Sequence, residues 1–388
     1  MERRVLVHNP NNPVTVSVER ITGPFDRKPL AALVSQAGGA DSVVVKTLTP
    51  AGAVIVPHWV AGHDTDHWNL WNREVFAYTT GVVDSFVDAG AVREFTEGFE
   101  RGLRAPKLLA SLDGGDGSVS LILENVKGRT GAELTLEDHA RIAAGLGEAQ
   151  GRLCEANGEP QAWTDLPWLS RSWVRKYATT RIPGPGVYQN VQAWEHPVVI
   201  EGFGSKRHEI RRRFGELYQG SGRWFSLLES LPQTLCHLDF WPNNAIAAKD
   251  GSDVLIDWSF VGRGAVGEDP GNWIPDTIFD HFMEPSELEA VESAVWSSYR
   301  SGLERSGWDL PIDLARLGML ASAVKYIWLP GLMVERADHS GPTAYGAQEG
   351  FDLAEVFARR LPVFMRLLDW IDKADSLASK LGSDWVGE

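Results

Sequence analysis

One stretch constrains this chain more than its length does. It runs Leu235, Cys236, His237, Leu238, Asp239, Phe240, Trp241, Pro242, Asn243, Asn244, Ala245, Ile246, and is followed by the apolar run Val254, Leu255, Ile256 that closes on Asp257 and Trp258. The pattern is H-x-D-x-x-x-x-N and then a strand ending in a carboxylate. Ten histidines, with the Asp and Asn content of the chain, give about 0.02 accidental matches to the first half alone. A plain turn would use the same residue types, since Asp, Pro and paired Asn are ordinary turn formers. It would not need the apolar strand ending in Asp a short way downstream.

The spacing suits phosphoryl transfer. One carboxylate must sit beside the attacking hydroxyl to orient it and accept its proton. An amide oxygen a short loop away must hold one face of Mg2+, and a second carboxylate on a neighbouring hairpin must bridge metal to the β- and γ-phosphates. Asp239, Asn244 and Asp257 fit those three tasks in that order.

Length and composition bound the alternatives. At roughly 100–200 residues per domain, 388 residues make two or three units. A hydrophobic content of 43% with 23% charged residues is ordinary globular composition. The net charge of −15 lacks the basic footprint that phosphate backbones require, so no nucleic-acid partner is expected. It permits a cationic substrate, although solubility explains an acidic surface equally well. Two cysteines, Cys154 and Cys236, exclude a disulfide framework and a Cys-rich zinc site. Apolar stretches such as residues 51–57 fall short of the ~20 residues of a membrane span, and no apolar secretory segment follows Met1. The expectation is a soluble cytoplasmic protein with no membrane partner. Sixteen tryptophans supply either core or flat ligand walls.

The first ~125 residues read as strand-rich, with β-branched runs at 14–18, 42–48 and 118–123 and helices expected over 68–81 and 91–103. Beyond residue 128 the period becomes helical. Thr135 and Asp138 form a capping-box pattern ahead of Ile142, Ala143, Leu146 and Ala149. A loop is expected at 182–186, and a helix from Pro285 through Val291, Val295 and Tyr299. Another helix is expected from Pro362 through Phe364, Leu367, Leu368, Ile371 and Leu377. Strands first and helices later is the order of an α+β protein with two lobes.

These residues resemble the aminoglycoside-phosphotransferase-like branch of the protein-kinase-like fold, whose catalytic loop reads H-G-D-x-x-x-x-N and whose metal strand reads I-D-W or I-D-F. The resemblance implies a bilobal α+β fold. Residues 1–125 would form an N-terminal lobe of antiparallel sheet with one key helix, and 126–388 a larger, mainly helical C-terminal lobe. It implies ATP (or GTP) and Mg2+. Lys46 would hold the phosphates, aimed by Glu74, because a lysine on four methylenes otherwise flexes. Backbone groups of Glu124 and Val126 would read the nucleotide base, and Ile246 would line the same site. Asn244 and Asp257 would ligate the metal, and Asp239 would be catalytic.

The implied acceptor is a hydroxyl of a small molecule. An aminoglycoside or similar antibiotic would want carboxylates such as Asp276, Asp280 and Glu284. A nucleoside, macrolide or neutral sugar would want aromatic walls such as Trp241, Trp273, Tyr326 and Trp328, and a small amino alcohol a compact acidic and aromatic box. A non-catalytic nucleotide-binding regulatory module is the reading from another class. A protein kinase is disfavoured, for the loop has no H-R-D arginine and no A-P-E segment follows Asp257.

The chain also departs from the family pattern. Leu238 replaces the usual glycine, which calls for a negative φ there. No G-x-G-x-x-G precedes Lys46, which leaves residues 22–28, with Arg27 and Lys28, to cover the phosphates. His237 is expected to brace the loop and Asp269 to anchor it through backbone amides. His58, His63, Asp64, Asp66 and His67 read as a loop insertion, for their spacing fits no zinc pattern.

Overall fold

The computed structural model describes residues 15–22, 42–50, 61–90, 102–157, 161–181, 183–338 and 350–382. Its strands are β1 (Thr15–Thr22), β2 (Ser42–Thr49), β3 (Leu103–Arg104), β4 (Leu108–Asp113), β5 (Val119–Glu124), β6 (Gly128–Thr130), β7 (Gln233–Cys236), β8 (Ala245–Ala248), β9 (Asp253–Leu255) and β10 (Gly262–Ala265). The first sheet has the order β1-β2-β5-β4 and is antiparallel throughout. In the second half of β2 the buried Lys46 and Leu48 alternate with half-buried Val45 and Thr47, β5 buries Leu121, Ile122 and Leu123 in succession, and the register sets Lys46 opposite Leu121. A second sheet, β3-β9-β8-β6, and the pair β7–β10 carry the loops of the H-x-D-x-x-x-x-N motif.

The longer helices are α1 (Arg73–Thr79), α2 (Val82–Gly90), α3 (Leu136–Arg152), α4 (Trp173–Thr179), α5 (Pro197–Phe203), α6 (Lys206–Gln219), α7 (Ser221–Ser230), α8 (Glu268–Phe279), α9 (Leu288–Arg305), α10 (Ile312–Ala321), α11 (Leu329–Glu335) and α12 (Leu353–Leu381). All but α1 and α2 follow residue 128, so the fold is α+β, with antiparallel sheet first and most of the helices after it, as expected. The stretch Ile312–Glu335 is long and apolar enough to cross a bilayer by composition, yet 94% of its most apolar window is buried in this lobe. It serves as a core wall, interrupted by the 3-10 turn Ser322–Tyr326.

Several elements depart from the sequence expectation for physical reasons. The helix expected over 68–81 starts at Arg73, because Arg73 holds the Trp68 and His67 carbonyls outside the helical ladder. Gly81 takes φ +79 and lets the chain restart as α2, where a glycine alone reads as an end. Of the stretch 91–103, residues 91–101 lie outside the described residues and Leu103 is in a strand. Residue 182 of the expected loop also lies outside them, and Gly186 opens a single helical turn, Gly186–Gln189. Helix α12 begins nine residues before Pro362, capped by Asp352. Pro362 is exposed, so the carbonyl that loses its partner faces water.

The capping box at the start of α3 forms as expected: Thr135 Oγ1 accepts from the Asp138 amide and Asp138 from the Thr135 amide. Asp138 is 1% exposed and also receives Arg129 and Arg141 at 2.8 Å each, while Arg141 goes on to Asp253 at 2.7 Å. The network ties β6, α3 and β9 together beneath the catalytic loop. Burial opposes ionisation of Asp138, but Arg129, the Thr135 amide and Arg141 outweigh it and hold the carboxyl well below its ordinary range. A depressed folded-state pKa stabilises the fold above the unfolded pKa, and that stability is lost only on acidification. Asp138→Asn is therefore expected to destabilise the protein by about 2–3 kcal/mol at pH 7. Urea unfolding should show the difference persisting down to about pH 4 and shrinking below it.

Candidate active site

β7 delivers His237, Leu238 and Asp239 into the loop that returns through the turn Pro242–Asn244 to β8. Leu238 has φ +65, against the expected negative value. For a residue with a side chain, the left-handed region costs about 1–2 kcal/mol. The loop is held there from behind. Asp269, in the first turn of α8, accepts the His237 and Leu238 amides at 2.8 Å each. Gln150 donates to the same carboxylate at 2.7 Å and accepts from Tyr299 at 2.7 Å. Gly264 on β10 passes so close that an added Cβ would lie 3.1 Å from Leu238 Cδ2. Asp269 is thus a loop anchor. His237 Nε2 is 3.0 Å from the Ile256 carbonyl and its ring packs on Trp258. Burial pushes its pKa down to about 4, so it is neutral at pH 7 and acts as a brace.

In front of this loop the expected residues converge. Asn244 Nδ2 donates to the Asp239 carbonyl and to Asp239 Oδ2, both at 2.9 Å. Those bonds leave Asn244 Oδ1 buried without a partner. Asp257, at φ +63, accepts Lys46 Nζ at 2.9 Å, and Ser259 Oγ donates to the same oxygen. Lys46 also pairs with Glu74, whose other oxygen accepts the Trp258 amide at 3.3 Å. Burial alone would lower the Lys46 pKa, but Asp257 and Glu74 outweigh it, and the ammonium is held above its ordinary value. Burial first, then repulsion from Asp257 and Asp276, pushes Asp239 up to about 7, with Lys325 opposing.

The donor set fits Mg2+. An orphaned amide oxygen and an adjacent carboxylate are two hard ligands, and this ion commonly takes one or two protein oxygens and completes its shell with phosphate and water. Among the described residues no group of three or more His, Cys, Asp or Glu forms a metal cage. In the 61–70 insertion Asp66 pairs with Lys176 at 2.6 Å, Asp64 accepts the Asp66 amide and His67 Nδ1 accepts the Asn69 amide, so these groups shape a loop. His58 and residues 23–28, with Arg27 and Lys28, lie outside the described residues.

Other expected residues fall in different surroundings. Glu124 is fixed by Arg104 at 2.8 and 3.0 Å as β5 leads to the buried Val126, and Ile246 sits in β8 opposite Val254. Trp241 is buried with its ring 5.7 Å from Phe282. Trp273 is a correction. It is 1% exposed, packed 4.4 Å from Phe240 with Nε1 2.7 Å from His139 Nδ1, and so belongs to the core. The acidic cluster is also corrected. Asp276 accepts Tyr326 Oη at 2.8 Å and faces Lys325 at 3.7 Å, Asp280 faces Arg360 at 3.8 Å, and Glu284 pairs with Arg359 at 2.8 Å. Each carboxylate already has an internal cation.

Arg73 was not foreseen. It is 1% exposed and donates to the carbonyls of Trp168 (2.9 Å), Trp68 (3.0 Å), Ser259 (3.1 Å) and His67 (2.7 Å), locking α1 to the segment after Asp257. Burial pulls its pKa down to about 9. Its adjacency to Glu74 was the available signal, since neighbouring helix positions face different partners. Ser259, two residues past Asp257, carried a similar one. Lys325 and Tyr177, which act on Asp239 from distant segments, carried none.

The profile of the Phosphotransferase enzyme family matches residues 92–294, just over half of the chain. The chain belongs to this family. No curated protein matches it. Among solved structures, it is similar to an aminoglycoside phosphotransferase from Alicyclobacillus acidocaldarius (13% identity, 97% of this chain and 93% of that chain, TM-score 0.46). It is also similar to a choline/ethanolamine kinase family protein from Mesorhizobium loti (13%, 92% and 96%, 0.45) and to an ethanolamine kinase from Plasmodium vivax (13%, 94% and 83%, 0.43).

In this phosphotransferase the raised Asp239 pKa has a measurable consequence. A carboxyl whose folded pKa lies above its unfolded value favours the fold at low pH, and that contribution is lost as pH rises through about 7. Asp239→Asn removes the buried charge. It should raise the stability of the ligand-free enzyme by on the order of 2 kcal/mol at pH 8 and by nothing near pH 4. Thermal melts of both proteins across that range check the sign.

Proposed function

We propose that this phosphotransferase is an ATP-dependent (or GTP-dependent) kinase that transfers the γ-phosphoryl group to a hydroxyl of a small molecule, with nucleotide held between residues 1–125 and 126–388. The observation that carries the reading is the contact of Lys46 Nζ with Asp257 Oδ1 at 2.9 Å, across 211 positions of chain. It supports reading Lys46 as the phosphate-binding cation, Asp257 as the metal-binding carboxylate and Asp239, which senses the charge of Asp257, as the catalytic carboxylate.

Asn244 and Asp257 would hold Mg2+, which supplies positive charge to the β- and γ-phosphates. Lys46 adds a second positive charge, held at fixed aim by Glu74. Glu124 and Val126 offer backbone groups to the base and Ile246 an apolar floor. Asp239 orients the acceptor hydroxyl and takes its proton as the oxygen bonds to phosphorus and the bond to the departing diphosphate breaks. Burial raises the proton affinity of Asp239 above that of an ordinary carboxylate, which suits a base. Most of the rate comes from alignment and charge placement, both fixed before substrate arrives.

An aminoglycoside or similar antibiotic-like acceptor finds little support in the charges, because Asp276, Asp280 and Glu284 are engaged internally. A purely regulatory nucleotide-binding module would have no use for Asp239 held by Asn244 beside Asp257.

Asp239→Ala should cut turnover by about 10³-fold or more while nucleotide affinity stays within a few-fold. Lys46→Met should instead raise KM for ATP. Mass spectrometry of phosphorylated product, with nucleotide titration followed by tryptophan fluorescence, separates the two. Near-normal turnover of Asp239→Ala rejects the assignment. For the wild-type enzyme, kcat/KM should climb as Asp239 ionises, at a pH below the value near 7 of the metal-free site, because a divalent ion beside it favours the carboxylate.

A further inference from the structure

The clamp behind the catalytic loop is a directed chain of donors. The Gly267 amide, at the start of α8, donates to Tyr299 Oη at 2.9 Å. With that oxygen accepting, the single Tyr299 proton goes to Gln150 Oε1 at 2.7 Å. Gln150 must then turn its Nε2 to Asp269 Oδ2, which it meets at 2.7 Å. Asp269 lies two residues after Gly267, so the chain leaves α8 and returns to the same turn. The carboxylate also takes the His237 amide on Oδ2 and the Leu238 amide on Oδ1. Burial raises the Asp269 pKa to about 6, which still leaves it ionised at pH 7 and its bonds charge-assisted. Tyr299, Gln150 and Asp269 are fully buried, so removing one bond leaves a buried group unpaired.

The helix packing makes this contact possible. An added Cβ at Gly147 on α3 would lie 2.1 Å from the Tyr299 carbonyl oxygen, and one at Gly302 on α9 would lie 2.1 Å from that of Ala144. The two glycines let α3 and α9 cross backbone to backbone, which brings Tyr299 within reach of Gln150. The Thr234 hydroxyl ties the Gln150 carbonyl to β7 at 2.7 Å, on the strand that delivers His237. Leu238 supplies the reason for such bracing. A glycine rests at φ +65 without cost, whereas a leucine there is pushed out by its own Cβ.

We infer that Gln150 and Tyr299 are positioning residues for phosphoryl transfer: they aim Asp269, which holds Leu238 in the left-handed conformation and so sets Asp239 against the acceptor hydroxyl. The need for them comes from having leucine at 238. The catalytic consequence rests on the kinase reading of Asp239, and the anchoring does not.

The test uses the full chain with ATP and Mg2+, with water as the acceptor hydroxyl and ADP release as the measure of turnover. Gln150→Leu keeps the bulk of the side chain and removes both of its bonds. Its kcat should fall at least about tenfold, the worth of one hydrogen bond to a charged group, with KM for ATP within about twofold. Tyr299→Phe removes one oxygen from the core and should give a smaller fall of the same kind. It carries the test where Gln150→Leu fails to fold. In the Leu238→Gly background, Gln150→Leu should cost less than about threefold, because the strain it releases is already gone. Hydrogen exchange followed by mass spectrometry should show the His237 and Leu238 amides opening about tenfold faster in Gln150→Leu, with β2 and β5 unchanged.

Equal losses in the two backgrounds overturn the inference, as does unchanged turnover in both single variants. So does a rise in KM for ATP alongside the fall in kcat, with exchange quickened throughout the chain, for that is a packing role. Wild-type ADP release no faster than that of Asp239→Ala rejects the kinase reading, and the exchange result then decides the anchoring by itself.

Discussion

The arrangement depends on one buried ammonium. Lys46 reaches from the central strand of the N-terminal sheet to Glu74 on α1 and to Asp257 in the other lobe. With Lys46 5% and Glu74 1% exposed, none of these charges can fall back on water. A buried pair that loses one partner leaves an uncompensated charge, which is far more damaging than losing a surface pair. The three groups therefore lock the orientation of α1, the aim of the lysine and the closeness of the lobes together. Arg73 adds a second lock by holding four carbonyls from three separate segments. Two adjacent residues of one short helix thus serve the crevice in different ways, Glu74 through charge and Arg73 through backbone geometry.

Behind the crevice the catalytic loop is held by a different device. Leu238 and Asp257 both sit at positive φ without being glycine, and both lie on the site. Backbone strain of this kind persists only where surroundings over-determine it. At Leu238 the surroundings are explicit: one Asp269 carboxylate takes two successive amides, and Gln150 and Tyr299 fix that carboxylate in turn. The tension is released nowhere in the loop itself, so the position of Asp239 is set by α3, α8 and α9 packing behind it.

This explains what could be read from the linear sequence. Asp239, Asn244 and Asp257 were legible because a single loop and the next strand carry them, so chain spacing and spatial spacing coincide. Lys46 and Glu74 were legible through resemblance to a family, and the capping box of α3 through local chemistry. Leu238 was misjudged because local reasoning weighs a side chain against its own φ and cannot see two amides captured from α8. Trp273 was misjudged because a helix position three residues from Asp276 says nothing about which side the lobe covers. Pro362 looked like a start and is interior, since a proline on the wet face of a helix loses only a bond that water replaces. Lys325 was invisible, for it acts on Asp239 from a segment far away in the chain.

The charges around the reacting atoms then fall into two compartments. On the nucleotide side, Glu74 and Asp257 share the single Lys46, and Asp239 stands next to them with only an amide donor. Acids outnumber cations there, a deficit that a divalent ion beside Asn244 Oδ1 would remove, and that in its absence keeps a proton on Asp239 up to about pH 7. On the other side Asp276 faces Lys325 and Asp280 faces Arg360. Asp239 lies at the border and takes opposite influences from the two sides, Asp257 raising its proton affinity and Lys325 lowering it. A base placed on such a border is sensitive to occupancy. A divalent ion held by Asn244 and Asp257 would lower its proton affinity.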